Sequence, residues 1–233
     1  MTEDDNLCLQ DLLGNPHPPV AIYRSETIPE GSERPAREHC AIKGYFLPAV
    51  MEGKSICGGP EDIFCGGPKS GFCIGVDPVR DELAECYAQT GYFESPELAR
   101  RNYTDVVKGT PSDEYIVFEP LARTRERGID PDVVVFLADP LHISALMDLA
   151  GYARRTDDEP VAMRYALACE QLYLLPLIEG RKENPKCILG LTELFVRKLV
   201  DSDKFSFAIP YGLYRTMESN AGKSFLTKRV WTG

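Results

Sequence analysis

No CxxC pair occurs anywhere in the sequence, and that absence removes the zinc-knuckle and ferredoxin spacings of metal ligands. No apolar run reaches bilayer length: Val133 to Ala138 is among the longest, and a spanning helix needs about 20 residues. The N-terminal Met-Thr-Glu-Asp-Asp-Asn has neither a basic n-region nor an apolar h-region, so no secretory signal is expected. Positive charge is short, with 26 Lys and Arg against 36 Asp and Glu and a net charge of −10. A chain of that sign neither neutralises phosphates nor docks on anionic lipid, so neither a nucleic acid nor a membrane is expected as a partner. No GxGxxG follows a strand pattern, which removes the dinucleotide fingerprint. Gly53-Lys54-Ser55 and Gly222-Lys223-Ser224 end like phosphate loops, but Pro48 and Met217 stand where the upstream glycine is required.

What is there is a globular composition, 43% hydrophobic, with a surplus of thiols. The eight cysteines are Cys8, Cys40, Cys57, Cys65, Cys73, Cys86, Cys169 and Cys187. A cytoplasmic location is expected, where a disulfide framework is not. The thiols are then buried small hydrophobes or ligands of a soft metal gathered from distant segments. Cys8 and Cys86 lie in helical patterns among apolar neighbours and read as core packing.

Strand patterns alternate with helical ones, which predicts an α/β or mixed α+β fold. Strands are expected at Val20 to Tyr23, Tyr115 to Phe118, Val133 to Leu137, Lys186 to Leu189 and Phe205 to Ile209. Helices are expected over 5–13, 35–53 with a kink at Pro48, from Asp77-Pro78, from Ser95-Pro96, from Pro140 to about Ala153, after Asp157-Asp158-Glu159-Pro160, and from Thr192 to Val200. Cys57 to Gly75 reads as a Gly-rich loop. Laid over each other, two halves share features in the same order. Val20-Ala21-Ile22 answers Val133-Val134-Val135, Cys40 answers Cys169, and Phe46-Leu47-Pro48 answers Leu174-Leu175-Pro176. Glu52-Gly53-Lys54 answers Glu179-Gly180-Arg181, Cys65 answers Cys187, and the strand ending at Pro120 answers the one ending at Pro210. The expectation is two pseudo-symmetric half-domains from an internal duplication, in one compact unit. Residues 1–17 form an N-terminal helix and linker, 18–128 the first half and 129–233 the second.

The segments Cys40-Ala41-Ile42, Glu52-Gly53-Lys54 and Cys65-Gly66-Gly67-Pro68 resemble the first half of the uncharacterised ArCR family, the domain of unknown function numbered 169. Pro131-Asp132-Val133-Val134-Val135, Cys169, Lys186-Cys187-Ile188-Leu189-Gly190 and Phe207-Ala208-Ile209-Pro210 resemble its second half. The resemblance spans nearly the whole chain. It implies an anaerobic setting and makes Cys40, Cys65, Cys169 and Cys187 the counterparts of the family's recurrent cysteines. It also implies a polar or Arg-containing segment after the last cysteine; this chain has Ile188 to Leu194 there, and Arg197 is its nearest arginine.

Four thiolates brought together at a pseudo-twofold axis suit a [4Fe–4S] cluster or zinc. Gly66 and Gly67 would let backbone N–H groups approach bridging sulfides, and Lys69, Lys186 and Arg181 would offset the cluster's negative charge. Cys57 and Cys73 are alternative ligands. The expected role is electron transfer to a partner protein, or cluster-assisted redox chemistry on a small molecule. Two other readings stand beside it: a small-ligand-binding or regulatory module with buried thiols, and an enzyme using a reactive Cys65. Assembly with further copies is compatible with each. His39, adjacent to Cys40, is a candidate to tune such a centre; His17 and His142 read as a loop residue and a helix-start residue. Trp231 is expected to pack into a groove or to fray.

Overall fold

The computed structural model describes residues 8–36, 40–62, 80–104 and 114–232. Seven strands form one sheet: β1 (Val20–Ser25), β2 (Ile56–Gly58), β3 (Tyr115–Pro120), β4 (Val133–Ala138), β5 (Val161–Ala162), β6 (Cys187–Gly190) and β7 (Phe205–Pro210). Their order is β2-β3-β1-β4-β7-β6-β5, antiparallel except for the β5–β6 pair. The fold is mixed α/β, as the alternating patterns predict.

Register shows how the two sides of this sheet relate. Val20 stands opposite Pro120 and Val133 opposite Pro210. Ile56 pairs with Phe118 and Ile188 with Ala208, each two residues before the closing proline. The central β1–β4 ladder is centred on Ala21 opposite Val134, with Val20 facing Val135 and Ile22 facing Val133. Even the exits match. Leu121 N donates to Pro19 O at 2.9 Å, and Tyr211 N donates to Asp132 O at 3.0 Å, each on the first residue of the helix after the strand.

Alternation along the strands sorts side chains into two layers. Val20, Ile22, Val133, Val135 and Leu137 face one layer. That layer is covered by two helical segments, each a π-turn running into a short α-helix. The first is π1 (Ile42–Phe46) followed by α1 (Leu47–Glu52), and the second π2 (Glu170–Leu174) followed by α2 (Leu175–Glu179). Ala21, Val134, Phe136 and Ala138 face the other layer. There they meet α3 (Leu9–Leu13), α4 (Pro140–Gly151) and α5 (Tyr211–Ala221). Asp139 caps α4 by accepting the His142 amide at 3.0 Å, and Pro140 occupies the first turn, where its missing N–H costs nothing. A separate helical pair, α6 (Arg80–Gln89) and α7 (Pro96–Thr104), packs Tyr87 and Ala99 against Leu167. Among the described residues no helix is long and apolar enough to cross a membrane.

Several expectations change. The helix expected after Pro160 starts later: the short strand β5 comes first, and Cys169 lies in the turn that opens the helical segment continuing into π2. The kink expected at Pro48 is a π-turn that ends just before it; Pro48 itself sits harmlessly in the first turn of α1. Cys57 belongs to strand β2 and not to a Gly-rich loop. The helix start at Asp77-Pro78 lies outside the described residues, and the helix is seen from Arg80.

Candidate functional site

The strand pleat decides which cysteines can meet. Ile56 and Ile188 pack into the π-turn layer, so their neighbours Cys57 and Cys187 point to the opposite face. Cys187 is fully buried in the cluster with Leu146, Phe207 and Met217. Burial pushes its thiol far above the ordinary range, against a weaker pull from Arg154. Cys57 lies between Tyr23 and Val117, and burial pushes its thiol up to about 11. Both are protonated apolar fillers at neutral pH.

Cys40 and Cys169 belong to the π-turn layer. Cys169 is buried at the N-cap of π2. Cys40 is half-buried two residues before π1, with the backbone amides of Ile42 and Lys43 near enough to its sulfur to favour the thiolate. Burial raises its pKa, those two amides lower it, and the Glu193 carboxylate raises it again, for a net rise. Cys8 is the N-cap residue of α3, and its thiol donates to Asp11 Oδ2 at 3.1 Å.

Glu193 is the polar centre of this corner, 6% exposed. Its Oε1 accepts the Tyr87 hydroxyl at 2.8 Å, and its Oε2 accepts the amide of Ala168, the residue before Cys169, at 3.0 Å. No Lys or Arg ion pair to Glu193 occurs among the described residues. Burial and then the Glu193 charge push the Tyr165 phenol up to about 12. A strained turn delivers the carboxylate. Leu191 is a buried non-glycine residue at φ 57°, a conformation costing on the order of 1–3 kcal/mol. Gln171 of π2 holds the next residue from both sides: its Nε2 donates to Thr192 Oγ1 at 2.7 Å, and its Oε1 accepts Thr192 N at 3.2 Å. Gly190 permits this approach, since a Cβ there would lie 2.8 Å from the Gln171 Cβ. Sequence reading missed Glu193, because the turn at Leu191 that aims it exists only when β6 is docked on π2.

Of the four cysteines expected to converge, two lie in one layer, Cys187 lies in the other, and Cys65 lies outside the described residues. The matched pairing of the cysteines is also corrected. Ladder register makes Ser55 the counterpart of Cys187, because Ile56 matches Ile188. The π-turns make Ala168 the counterpart of Cys40 and Ala41 that of Cys169. One residue along a helix turns a side chain by about 100°, and one along a strand reverses its face. Among the described residues no group of three or more His, Cys, Asp or Glu converges to hold a metal ion. Cys73, Gly66, Gly67, Lys69 and His39 also lie outside the described residues.

Other candidates resolve into structural roles. Arg197 donates to the carbonyls of Lys204, Asp201 and Ser202 and lies over the Phe205 ring, so it braces a loop and is not a ligand-binding arginine. Lys186 is paired with Asp158 and Glu159, away from the π-turn layer. His142 Nδ1 contacts Asp139 Oδ1 at 2.7 Å at the start of α4. Trp231 packs back on the chain, donating from Nε1 to Leu12 O at 3.1 Å. Cys86, expected in the core, is exposed, and Cys8 is half-buried.

No curated protein and no solved structure matches the chain. The model of the uncharacterised ArCR family, domain of unknown function 169, matches residues 8–220, which takes in both strand sets, both π-turns and the Cys40–Glu193 corner. The chain belongs to the uncharacterised ArCR family.

Proposed function

We propose that the chain is an iron–sulfur protein of a reducing cytoplasm, its [4Fe–4S] cluster held on the π-turn layer through Cys40 and Cys169. The observation that carries this reading is the placement of Cys40, half-buried at the start of a helical segment with the Ile42 and Lys43 amides favouring its thiolate, in the same layer as Cys169. Amides so aimed stabilise a thiolate and the negative charge of a sulfide-bridged centre. Thiols in one layer that do not converge on a point suit a multi-atom centre better than a single ion. Cys187 does not fit and is not among the ligands. Cys65 and Cys73 are the sequence candidates for the remaining positions. Bound there, the cluster would supply one-electron redox chemistry, for a partner protein or a small molecule.

The chain's own residues set the surroundings. The Ile42 and Lys43 amides favour negative charge at the Cys40 sulfur, the apolar layer excludes water, and the buried Glu193 charge opposes an added electron, which favours a low potential. The matched strand order, registers and π-turns support an internal duplication as the origin of this frame. The test is anaerobic purification with iron and acid-labile sulfide analysis. Both are expected in the isolated or reconstituted protein; the absence of both after reconstitution overturns the proposal.

A further inference from the structure

At the far end of the central strand pair lies a polar cleft of about 300 Å³. Arg24, near the end of β1, Asp132, just before β4, and Arg181, beyond α2, line it. A neighbouring hollow of about 540 Å³ shares Asp132 and Arg181. Tyr173 of π2 projects into the cleft, its hydroxyl donating to Asp132 Oδ2 at 2.7 Å. The Arg24 guanidinium lies over the Tyr173 ring, 5.9 Å from its centroid.

Three features of this cleft are costly or idle without a ligand. Arg24 Nε is buried with no hydrogen-bond partner among the described residues, and the Arg24 ion pair with Glu114 is loose at 3.9 Å. Arg181 lines the cavity and has no carboxylate partner among the described residues. Asp132 spends one carboxylate oxygen on Tyr173, while the other receives no hydrogen bond among the described residues.

The charges lining the cleft are of both signs: Arg24 and Arg181 against Glu114, Asp130 and Asp132. An inorganic anion would meet the two aspartates, and a simple amine would meet the two guanidiniums. A molecule carrying both signs a few ångströms apart satisfies both sets. We propose that this cleft binds a small zwitterion of the α-amino acid class. Its carboxylate bridges Arg24 and Arg181, and its ammonium group donates to the free oxygen of Asp132. The volume suits a ligand of that size and not a nucleotide. The site is read separately from the cluster proposal, since neither Cys40, Cys169 nor Glu193 lines the cleft.

The experiment is calorimetric titration of the full chain with a panel of L-α-amino acids. Their N-acetyl derivatives, which lack the cation, their decarboxylated amines, which lack the anion, and inorganic phosphate serve as controls. At least one free amino acid is expected to bind saturably, with both derivatives weaker by about ten-fold or more. Arg181→Gln, at an exposed position that leaves folding intact, is expected to weaken binding by about ten-fold, and Asp132→Asn to reduce discrimination against the N-acetyl form. The proposal is overturned if no amino acid binds at millimolar concentration, if phosphate or the derivatives bind as tightly, or if Arg181→Gln leaves affinity unchanged. Cys40→Ser is expected to leave the titration unaltered, so loss of the cluster and loss of this site are read separately.

Discussion

The strand sets β1–β3–β2 and β4–β7–β6 follow one path, yet at matched ladder positions they carry different chemistry. Glu119 and Ile209 each precede the closing proline. Ile209 joins an apolar layer under α4 and α5. Glu119, fully buried, accepts hydrogen bonds from Tyr23 at 2.9 Å, Ser55 at 2.8 Å and Thr124 at 3.1 Å, with Arg127 at 3.4 Å. The same contrast recurs at Ser55 and Cys187, at Arg24 and Leu137, and at Pro19 and Asp132. What the two sets share is scaffold: Tyr45 and Tyr173, Pro48 and Pro176, Gly58 and Gly190, Pro120 and Pro210. Backbone geometry repeats because each π-turn must dock on a strand. Chemistry is placed where the two sets differ, so both the thiol corner and the polar cleft are asymmetric.

The largest effect should come from the Glu119 network. Glu119→Ala removes the buried acceptor of the Tyr23, Ser55 and Thr124 hydroxyls and the carboxylate facing Arg127, and is expected to cost about 3–5 kcal/mol in urea unfolding. Ile209→Val, at the matched position, should cost about 0.5–1.5 kcal/mol. Equal costs would break the contrast drawn here.

Next come the shared glycines. A Cβ at Gly58 would lie 2.0 Å from the Tyr45 hydroxyl of π1, and one at Gly190 would lie 2.8 Å from the Gln171 Cβ of π2. Gly58→Ala and Gly190→Ala should each destabilise by about 1–3 kcal/mol, because strand and π-turn are already in contact. A neutral result at both would remove close docking as the reason for the shared scaffold.

A smaller effect follows from the buried thiol Cys57. Burial raises its pKa from 9.0 to about 11, so in the unfolded chain it ionises first. Its contribution to stability is complete below about pH 9 and is lost as pH climbs toward 11. Urea midpoints measured across that window should fall less steeply in Cys57→Ala than in the parent. The smallest expected effect is electrostatic. Glu193→Gln removes a buried negative charge while keeping an acceptor for Ala168, and should raise the midpoint potential of the bound cluster in a spectroelectrochemical titration. A lowered potential would contradict the placement of Glu193 beside it.

Much of the frame was legible in the sequence. Val133 to Ala138 is apolar at every position because both of its faces are buried, and the paired Pro120 and Pro210 mark matching strand ends. The π-turns were not legible, because one extra residue in a helical turn barely disturbs an apolar pattern. Gly58-Gly59 gives Cys57 the sequence signature of a loop, whereas Gly58 leaves the space that Tyr45 fills. The cysteines were matched by identity and came out displaced, and a one-residue displacement is enough to move Cys187 to the opposite face. Glu193 was invisible because its partners, Tyr87 and Ala168, are distant in sequence.

Iron and acid-labile sulfide, determined side by side on anaerobically prepared parent, Cys40→Ser, Cys169→Ser and Cys187→Ala proteins, test the central claim most directly. Folding of each is checked by circular dichroism. The account predicts that the parent and Cys187→Ala retain both elements and that Cys40→Ser and Cys169→Ser lose them while staying folded. Loss from a folded Cys187→Ala with retention in Cys40→Ser would contradict it.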